Sequence, residues 1–538
     1  MAVTDFPYQA VKDTSARIMS VRERLVPPMQ GSALWGWIGP LIVTIFGGIL
    51  RFTNLGWPKA VVFDETYYAK DAFSLVTWGV ERNFIKDADK ALMAGNTDIF
   101  QKCAADALDK CANYVVHPPL GKWMIGLGEW LFGMNPFGWR FMAALVGTLS
   151  IFLIARLARR MTRSTLLGCL AGLLLAIDGL HFVLSRTALL DIFLMFWVLA
   201  GFACLVVDRD RARQRLADWY ETSPVSPRGP WLGIRPWRIA AGVCLAAACG
   251  VKWSGIFFLA AFVLMTFFWD AGARKAVGLR TPYAGMVEKD LPTTVLTLGV
   301  VPLVTYMATW IGWFSTPYGY GRNWDQATSG GPFNFIVNSV KSWVSYQWQV
   351  FSFHGDLKTT HPYMSEPWSW PLLLRPVAFH YEGRQGVCGA AKDCSEAVLG
   401  VGTPVIWYGA LIALVGLIAW YVATRDWRAG SVLLAYAAGW LPWFKWAIFD
   451  DRTMFLFYAI PMVPFMVLAI VLCAGLIIGP APVGTAQPTL RRTLGAAGVG
   501  AFTLLAVINF WWLHPVLSAE VIPYAEWKAR MLFEKRWI

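Results

Sequence analysis

Long apolar runs, separated by short connections rich in arginine, set the pattern of this chain. A helix needs about 17–25 apolar residues to cross a bilayer. Candidate runs lie near residues 33–51, 139–157, 165–182, 188–207, 237–251, 253–270, 293–313, 402–422, 430–448, 455–478 and 495–513. The pattern therefore predicts an all-α polytopic membrane protein with about 11 transmembrane helices. The fifth run is the weakest, because residues 241–250 are small rather than bulky.

Positive charge is concentrated in every second connection. The basic residues there are Arg156, Arg159, Arg160 and Arg163; Arg209, Arg211, Arg213 and Arg215; Arg274, Lys275 and Arg280; Arg425 and Arg428; and Arg491 and Arg492. The positive-inside rule places these connections in the cytoplasm. Residues 1–32 are polar and basic without a cleavage pattern, so we expect a cytoplasmic N-terminal tail followed by an anchoring first helix. Residues 33–513 then form the transmembrane domain, and residues 514–538 form an external tail, although they too are basic.

Two connections on the predicted outer side are long, at residues 52–138 and 314–401. The first contains a semi-apolar stretch, residues 120–132, that is too short to span a bilayer. The second opens with Phe333, Phe335, Trp343 and Trp348 in an amphipathic pattern. Such a pattern predicts a helix lying in the membrane interface. We therefore expect amphipathic juxtamembrane helices in the long outer loops.

Composition supports a membrane protein and argues against a nucleic-acid-binding protein. Hydrophobic residues make up 57% of the 538 residues and charged residues only 15%, whereas soluble domains carry about 25% charged residues. The net charge of +13 could suggest a nucleic-acid partner. However, the basic residues lie in short loops between apolar runs, so the charge reflects membrane topology.

The nine cysteines fall into two groups. Five lie within apolar runs and are expected to be small packing residues. The other four form the local pairs Cys103/Cys111 and Cys388/Cys394, one in each long outer connection. Neither pair has the histidine or CxxC neighbours of a zinc site. An oxidising exterior favours two disulfides over four free thiols.

The stretch FDETYYAKD, residues 63–71, places two adjacent carboxylates just beyond the first apolar run. In a helix, Asp64, Tyr67, Tyr68 and Asp71 share one face, and Glu65 points about 100° away. Two interpretations are open from these residues alone. Asp64 could simply cap a helix whose first turn favours Glu65, or the two acids could belong to an active site with different roles.

Charged residues at the ends of membrane spans are costly and tend to be functional. Several separate outer connections carry such residues: His117, Lys122, Arg140, Arg186, Asp191, Lys252 and Arg452. Each alone has a simpler explanation. A terminal arginine can extend to lipid headgroups, Asp191 can pair with Arg186, and His117 can cap a turn. Together, on the same side as Asp64, they predict a cationic pocket suited to a lipid-linked phosphate.

The chemistry that such a pocket supports needs one base rather than two acids. A sugar on a polyprenyl phosphate already has a good leaving group, which cations can stabilise. The acceptor hydroxyl needs a base, and one carboxylate within hydrogen-bond reach suffices. A glycoside hydrolase, by contrast, typically uses two carboxyl groups. A transporter would place ionisable groups near the bilayer midplane in paired halves, a pattern that we do not find.

Seven motifs in order resemble the protein O-mannosyltransferase family of GT-C glycosyltransferases, most closely its actinobacterial members. They are FDETYYAKD, HPPLGKW, PFGWRF, SRTALLDIF, GVKWSG, SEPWSWPLLLRP and RTMFLFYAIP. The resemblance implies a GT-C fold and transfer of mannose from polyprenyl-phosphate mannose to Ser or Thr of exported proteins, with inversion, at the outer face of the plasma membrane. The β-trefoil MIR domain of eukaryotic members is not expected, because the loop between spans seven and eight is under a hundred residues long.

The resemblance also implies residue roles. Asp64 corresponds to the family's catalytic acid and would be the base, while Glu65 would orient the base or the acceptor. Arg140 matches the family's arginine after the first outer loop. We predict that Arg140, Arg186, Lys252 and Arg452 contact the phosphate or shape its pocket, with Tyr68, His117, Lys122 and Asp191 as further substrate-binding candidates.

No metal or other cofactor is predicted, because no DxD-type or histidine cluster accompanies the paired acids. The expected partners are the lipid-linked donor, extended Ser/Thr-containing proteins and membrane lipid, with the secretion machinery as a further candidate. The alternative function is a GT-C transferase that moves another lipid-linked sugar to a lipid or glycan.

Overall fold

A computed structural model describes residues 20–29, 31–104, 108–222, 226–322, 331–480 and 487–537. Most of residues 1–32, and the side chain of Phe333, therefore lie outside the described part of the chain. The helices of the first half are α1 Val21–Leu25, α2 Trp35–Phe52, α3 Glu65–Trp78, α4 Ala88–Met93, α5 Leu120–Phe132, α6 Pro136–Thr162, α7 Thr165–Ala176, α8 Gly179–Leu184, α9 Leu190–Thr222, α10 Pro236–Val251 and α11 Gly255–Val277.

The second half continues with α12 Pro282–Lys289, α13 Leu291–Val295, α14 Val301–Thr309, α15 Ile311–Ser315, α16 Gly331–Asp356, α17 Pro404–Thr424, α18 Trp427–Trp440, α19 Trp443–Phe449, α20 Val463–Ile478, α21 Leu490–Leu517, α22 Tyr524–Ala529 and α23 Glu534–Trp537. A π-helical turn, Leu296–Val300, joins α13 to α14, and a 3₁₀ segment, Leu456–Met462, leads into α20. The strands are β1 Val377–Cys388, β2 Ala391–Gly400 and β3 Ile522–Pro523.

The structure confirms a mostly helical membrane fold. Within the described ranges, nine helical segments are long and apolar enough to cross a bilayer. The two remaining predicted spans, the third and the fifth, are present as the shorter helices α7 and α10. The third run is interrupted because Asp178 ends α7 and caps α8, where its carboxylate accepts a hydrogen bond from the His181 amide.

The centre of the bundle is formed by α9 and the segment Leu456–Ile478. Of the most apolar stretch of each, 67% and 78% of the residues are buried by protein. By contrast, α21 is only 17% buried and α2 only 28%, so these helices present most of their surface to lipid. Because these two central segments are packed on most sides by protein, the residues at their ends are held in place. An active site at one end of the bundle requires such fixed positions.

The second long connection contains a β-hairpin that the all-α prediction missed. Strands β1 and β2 pair antiparallel, and β2 also pairs with β3. The turn uses Gly389 at φ 76°, a left-handed conformation that glycine adopts without steric cost. Three glycines in this stretch (Gly383, Gly386 and Gly389) dilute the alternating pattern, which is why the sequence gives only a weak strand signal.

The C-terminal tail packs on this hairpin. Ile522 and Pro523 pair with Ser395 and Cys394 of β2, and the Trp527 ring stacks near Tyr381 at 5.1 Å. The tail therefore lies on the same side of the bundle as residues 314–401, the side to which the sequence pattern assigns it.

Candidate active site

Asp64 lies immediately before α3, at the N-cap position, but its side chain caps nothing. Among the described residues, no group donates a hydrogen bond to its carboxylate. The helix-cap interpretation therefore fails, because an N-cap side chain would accept from the amides of the first turn. Asp64 as a whole residue is partly exposed, although protein atoms surround its carboxylate closely enough to perturb its acidity.

Phe63 fixes the backbone that presents Asp64. Its φ of 47° lies in the left-handed region, which costs energy for an aromatic residue and persists only where packing enforces it. Four rings surround the Phe63 ring with centroids 5.1–6.0 Å away. They belong to His361, Phe379, Phe455 and Phe457. Residues far apart in the sequence thus determine where the carboxylate of the next residue sits.

Glu65, the second acid of the pair, is fully buried and completely engaged. Its two oxygens accept hydrogen bonds from Arg140 Nε at 2.8 Å and Nη2 at 2.9 Å. They also accept from the backbone amides of Val62 and Ala188, both at 3.0 Å. Glu65 therefore ties the start of α3 to α6 and to the α8–α9 turn, and it has no atom facing a substrate.

Arg140 is also enclosed, which argues against its predicted contact with the phosphate. It has no solvent exposure. Besides Glu65, it donates to the carbonyl oxygens of Leu55, Pro58 and Ala60. A guanidinium has five N–H groups, and these contacts use all of them. In this structure Arg140 shapes the loop that leads to Asp64 rather than binding an anion.

Arg186 behaves in the same way. Its two terminal nitrogens donate to the carbonyl oxygens of residues 50, 51, 53 and 54, where α2 ends and the loop begins. It pairs with this backbone and not, as the sequence suggested, with Asp191. The prediction of a phosphate contact for Arg186 therefore has no support in the geometry.

Lys252 and Asp191, whose charges act on Asp64, line a cavity of about 330 Å³. Four of the predicted residues line it: His117, Asp191, Lys252 and Arg452. The remaining wall is largely aromatic or apolar, with Phe257, Trp443, Trp446, Phe351 and Tyr458. The volume falls at the lower end of the range for small-molecule sites. The structure therefore brings together cations, an acid and an apolar wall, as a lipid-linked anion would require.

Three cations line this cavity. Lys445 is exposed and bound to Asp450 at 2.6 Å, whereas Lys252 and Arg452 are buried and less completely paired than Arg140. Lys252 Nζ donates to Asp191 at 2.7 Å and lies 5.1 Å from the centre of the Tyr458 ring. Arg452 donates from Nη2 to His354 Nδ1 at 3.2 Å, while its buried Nε has no partner among the described residues. An unpartnered buried N–H is unfavourable unless a ligand accepts from it. Lys252 and Arg452 are thus the cations available to an anion here.

Two stacked histidines form part of the same wall. His117 and His354 lie with ring centroids 5.2 Å apart. His354 Nε2 is 2.9 Å from the Val116 carbonyl, so this nitrogen carries the hydrogen and Nδ1 accepts from Arg452. Burial and then the Arg452 charge lower the pKa of His354 to about 4, and burial with nearby Lys252 lowers that of His117 well below its usual value. Both rings are therefore neutral at physiological pH.

Asp64 has a perturbed acidity that suits a base. Burial raises its pKa to about 6, the Lys252 charge opposes this, and the Asp191 charge adds to it. A carboxylate with a pKa near 6 is ionised at neutral pH yet a stronger base than an ordinary aspartate. The charges of Lys252 and Asp191, which line the cavity, both act on Asp64, so the acid lies close to the cavity without being one of its lining residues.

The remaining predicted residues support the site without lining the cavity. Tyr68 is buried, with its ring 6.2 Å from that of His117. Lys122 is buried and paired with Glu81. Both disulfides are formed in the structure, Cys103 with Cys111 and Cys388 with Cys394.

Within the described residues, one group has the proximity of a metal site, His380, Glu382 and Glu396 on the hairpin. Arg384 already contacts both of its carboxylates, at 3.2 and 2.8 Å. A cation there would have to displace the guanidinium, so this group does not fit a metal centre.

His354 and Tyr458 are among the polar cavity residues that sequence analysis did not select. His354 lies in the last turn of α16, and Tyr458 lies within an apolar run. A signal was available for His354, since it lies near the end of the helix that the aromatic pattern had predicted.

Comparisons with known proteins identify the family to which the chain is similar. Residues 117–310 match the profile described as dolichyl-phosphate-mannose-protein mannosyltransferase. Residues 339–537 match the C-terminal four-transmembrane region of protein O-mannosyltransferases. A Mycolicibacterium smegmatis polyprenol-phosphate-mannose–protein mannosyltransferase is 38% identical over 96% of both chains. A Corynebacterium glutamicum relative of the same description is 32% identical over 91% of this chain and 92% of its own length.

Similarity extends to solved structures. A protein O-mannosyltransferase complex from S. cerevisiae, bound to the sugar donor, superposes with a TM-score of 0.68. The match covers 96% of this chain and 94% of the other at 13% identity. At that identity the match establishes the fold, which is the GT-C architecture.

Proposed function

We propose how the site of this chain works, given that the chain belongs to the protein O-mannosyltransferase family. It is a multi-pass membrane glycosyltransferase that moves mannose from a polyprenyl-phosphate donor to protein. In our proposal Asp64 is the general base, and the acceptor is a Ser or Thr hydroxyl of an exported protein in extended form. The observation that carries the proposal is the contrast within the DE pair. The Asp64 carboxylate accepts no hydrogen bond from the described residues, whereas Glu65 is fully buried and both of its oxygens are bonded.

The reaction begins as the hydroxyl oxygen attacks C1 of the mannose. Asp64 takes the hydroxyl proton while the new O–C1 bond forms. The bond between C1 and the phosphate oxygen breaks on the opposite face, which inverts the configuration at C1. The leaving group is polyprenyl phosphate, so no general acid is needed. Lys252 and Arg452 stabilise the charge that accumulates on it.

The Asp191 carboxylate has a supporting role in this scheme. It holds Lys252 Nζ at 2.7 Å, which fixes the ammonium group at the cavity wall. Since Lys252 also lowers the pKa of Asp64, one cation serves both the base and the leaving group. The aromatic and apolar wall is suited to the first isoprene units of the donor.

Arg140, Glu65 and Arg186 act as positioning residues. Between them they bind the backbone from residue 50 to residue 62, the loop that carries Asp64. A base contributes fully only when it is held within hydrogen-bond reach of its proton. In this proposal Arg140 and Arg186 therefore hold the loop that carries Asp64, and they do not contact the phosphate as the sequence had suggested.

We further propose that the cavity faces the outside of the plasma membrane. The basic connections lie at the opposite end of the bundle, which the positive-inside rule assigns to the cytoplasm. The family's donor and an exported acceptor would then meet on the same side, where the secretion machinery delivers chains in extended form. The same placement accounts for disulfides in both long connections.

A direct assay tests this function. Purified enzyme in detergent is incubated with polyprenyl-phosphate [³H]mannose and a Ser/Thr-rich peptide, with the Ala-substituted peptide as control. We expect label on the Ser/Thr peptide alone, in the α configuration if the donor is β-linked. Label in lipid or glycan but not in peptide would instead support the alternative of another acceptor class.

A further inference from the structure

A second cavity lies at the other end of the bundle from Asp64. It is a groove of about 770 Å³ between α9, α11, α17 and α18. Helix α11 connects the two places, since Phe257 lines the Asp64 cavity and Gly272 lines the groove. These residues are separated by about 22 Å along an α-helix. The groove is therefore a distinct site near the opposite membrane surface.

The walls of the groove are apolar and open toward lipid. Leu264 and Phe268 of α11 are 47% and 64% exposed. Leu433 and Leu434 of α18 form the facing wall. Where a Cβ would stand on Gly272, no atom lies within 4 Å. The groove thus has room for a hydrocarbon chain along α11, including the space next to Gly272.

Arginines gather at the basic end of this groove. Arg209 lies over the Trp427 ring at 3.7 Å from the centroid, and it donates from Nη1 to Asp210. No hydrogen bond from its other nitrogens is present among the described residues. Arg425 ends α17 in a left-handed conformation (φ 56°) and is exposed. Within the described chain its guanidinium lies 5.3 Å from the centre of the Tyr421 ring and forms neither a hydrogen bond nor an ion pair.

A third arginine and the single acid of the groove complete its charge. Arg213 donates from Nε and Nη2 to the carbonyls of residues 25 and 24, which leaves Nη1 available. Asp426 is the acid that lines the groove, and Arg428 already binds it through Nε at 3.0 Å and Nη2 at 2.8 Å. The groove therefore carries net positive charge with unused donors.

We propose that this groove binds an anionic phospholipid of the surrounding leaflet. The phosphate would accept hydrogen bonds from Arg209 and Arg425, while an acyl chain runs along Leu264 and Phe268. Basic pockets between transmembrane helices on the cytoplasmic side suit such headgroups, and arginine pairs well with phosphate oxygens. Trp269 and Trp427 lie at the level where indole rings favour the membrane interface. A soluble anion would have no use for the apolar walls.

Native mass spectrometry of the full-length protein tests the proposal. The purified enzyme is delipidated and then exchanged into nanodiscs of phosphatidylcholine with increasing phosphatidylglycerol. We expect one phosphatidylglycerol to remain bound after release into the gas phase. The R209Q/R425Q variant should weaken this binding about thirtyfold, from the loss of two arginines near the membrane surface.

A second variant tests the groove without touching charge. Gly272→Leu should block the acyl chain and reduce binding similarly, and no neighbouring atom opposes the new side chain. Matched controls are Arg280→Gln, an exposed arginine at the same end, and Gly498→Leu, a helical glycine of α21 with equally open surroundings. Both controls should retain the lipid.

Three results would overturn the proposal. Undiminished binding by both R209Q/R425Q and Gly272→Leu would show that the lipid sits elsewhere. If phosphatidylcholine were retained as well as phosphatidylglycerol, the negative charge of the lipid would have no role in binding. Displacement by equimolar polyprenyl phosphate, with no retention of phosphatidylglycerol, would assign the groove to a single-chain lipid phosphate instead.

Discussion

Two regions of this bundle bury acids and bases, and they differ in how completely those groups are paired. At the basic end, Arg235 and Arg238 both bind Asp208 and Asp270, at distances of 2.6–3.2 Å. Nearby, Arg274 binds Asp290 at 2.8 Å. At the other end, Asp64 accepts no hydrogen bond from the described residues, and Arg452 Nε is buried without a partner.

The difference separates structural charges from reactive ones. A buried charge that loses its partner is strongly destabilising, so the paired network at the basic end locks α9, α10 and α11 together. An incompletely paired charge lowers stability in the free enzyme and is tolerated where a substrate completes it. Glu65 and Arg140 belong to the first kind, although they lie next to Asp64. Near the DE pair, completeness of pairing rather than position separates Asp64 and Arg452 from Glu65 and Arg140.

The largest effect should follow from Asp64→Asn. Loss of the base should reduce turnover about a thousandfold, measured as labelled peptide formed per minute, while donor binding persists. Folded Asp64 has a pKa raised to about 6, so its ionised form costs stability at pH 7 and its loss should leave the melting temperature unchanged or higher.

Asp87→Asn is the matched control for that variant, because Asp87 is an exposed acid of the same connection with a left-handed φ that asparagine tolerates. Its turnover should stay within twofold of wild type. Near-normal turnover of Asp64→Asn would remove Asp64 from the reaction.

Arg238→Gln should test the paired network. It leaves Asp208 and Asp270 each short of one partner, so the free energy of unfolding should fall by about 3–5 kcal/mol. Denaturation in increasing SDS, followed by tryptophan fluorescence, measures this. The KM of the remaining folded enzyme should not change. A raised KM at normal stability would mean that the basic end takes part in substrate binding, contrary to the comparison.

Arg452→Gln should show the opposite pattern. Removing a charged donor to the phosphate should raise the KM for the lipid donor about tenfold or more, with a small change in melting temperature. Lys341→Gln, on the exposed face of α16, serves as the control. If Arg452→Gln instead unfolds the enzyme and spares the KM of what remains, Arg452 is structural.

The smallest effect is the pH dependence. Since Asp64 must be ionised to accept a proton, kcat/KM should rise with pH and level off above its pKa of about 6. One pH unit below that value should cost about tenfold. His117 and His354 are neutral throughout this range because their pKa values are lowered. The residual activity of Asp64→Asn should not show this rise with pH. A rise centred near pH 4 in the wild type would contradict the effect of burial on the pKa of Asp64.

The bundle was predictable from sequence because apolar run length and charge bias act locally. These gave all eleven apolar helices, although α7 and α10 are shorter than a full span. The hairpin was not predictable in the same way. Its stability comes from pairing with β3 near the far end of the chain and from packing of Phe379 on Phe63, neither of which is visible in the local pattern.

The site was predictable in part, for a similar reason. The cost of charge at span ends correctly indicated Lys252, Asp191, His117 and Arg452 as neighbours in one cavity. The same rule could not separate them from Arg140 and Arg186. Whether an arginine meets a ligand or a set of backbone carbonyls depends on how the loop of residues 53–62 folds, and that loop has no periodicity to interpret.

The aromatic surroundings of Phe63 have a consequence for assembly. The rings that hold this residue come from positions 361, 379, 455 and 457, all made hundreds of residues after the acid that they orient. During synthesis the DE loop therefore emerges long before the rings that hold Phe63 in its left-handed conformation. A chain interrupted before the penultimate pair of spans would contain both acids and no competent base. Asp64 can act as a base only after these residues of the last third of the polypeptide have been inserted. The enzyme therefore becomes active only when it is almost complete.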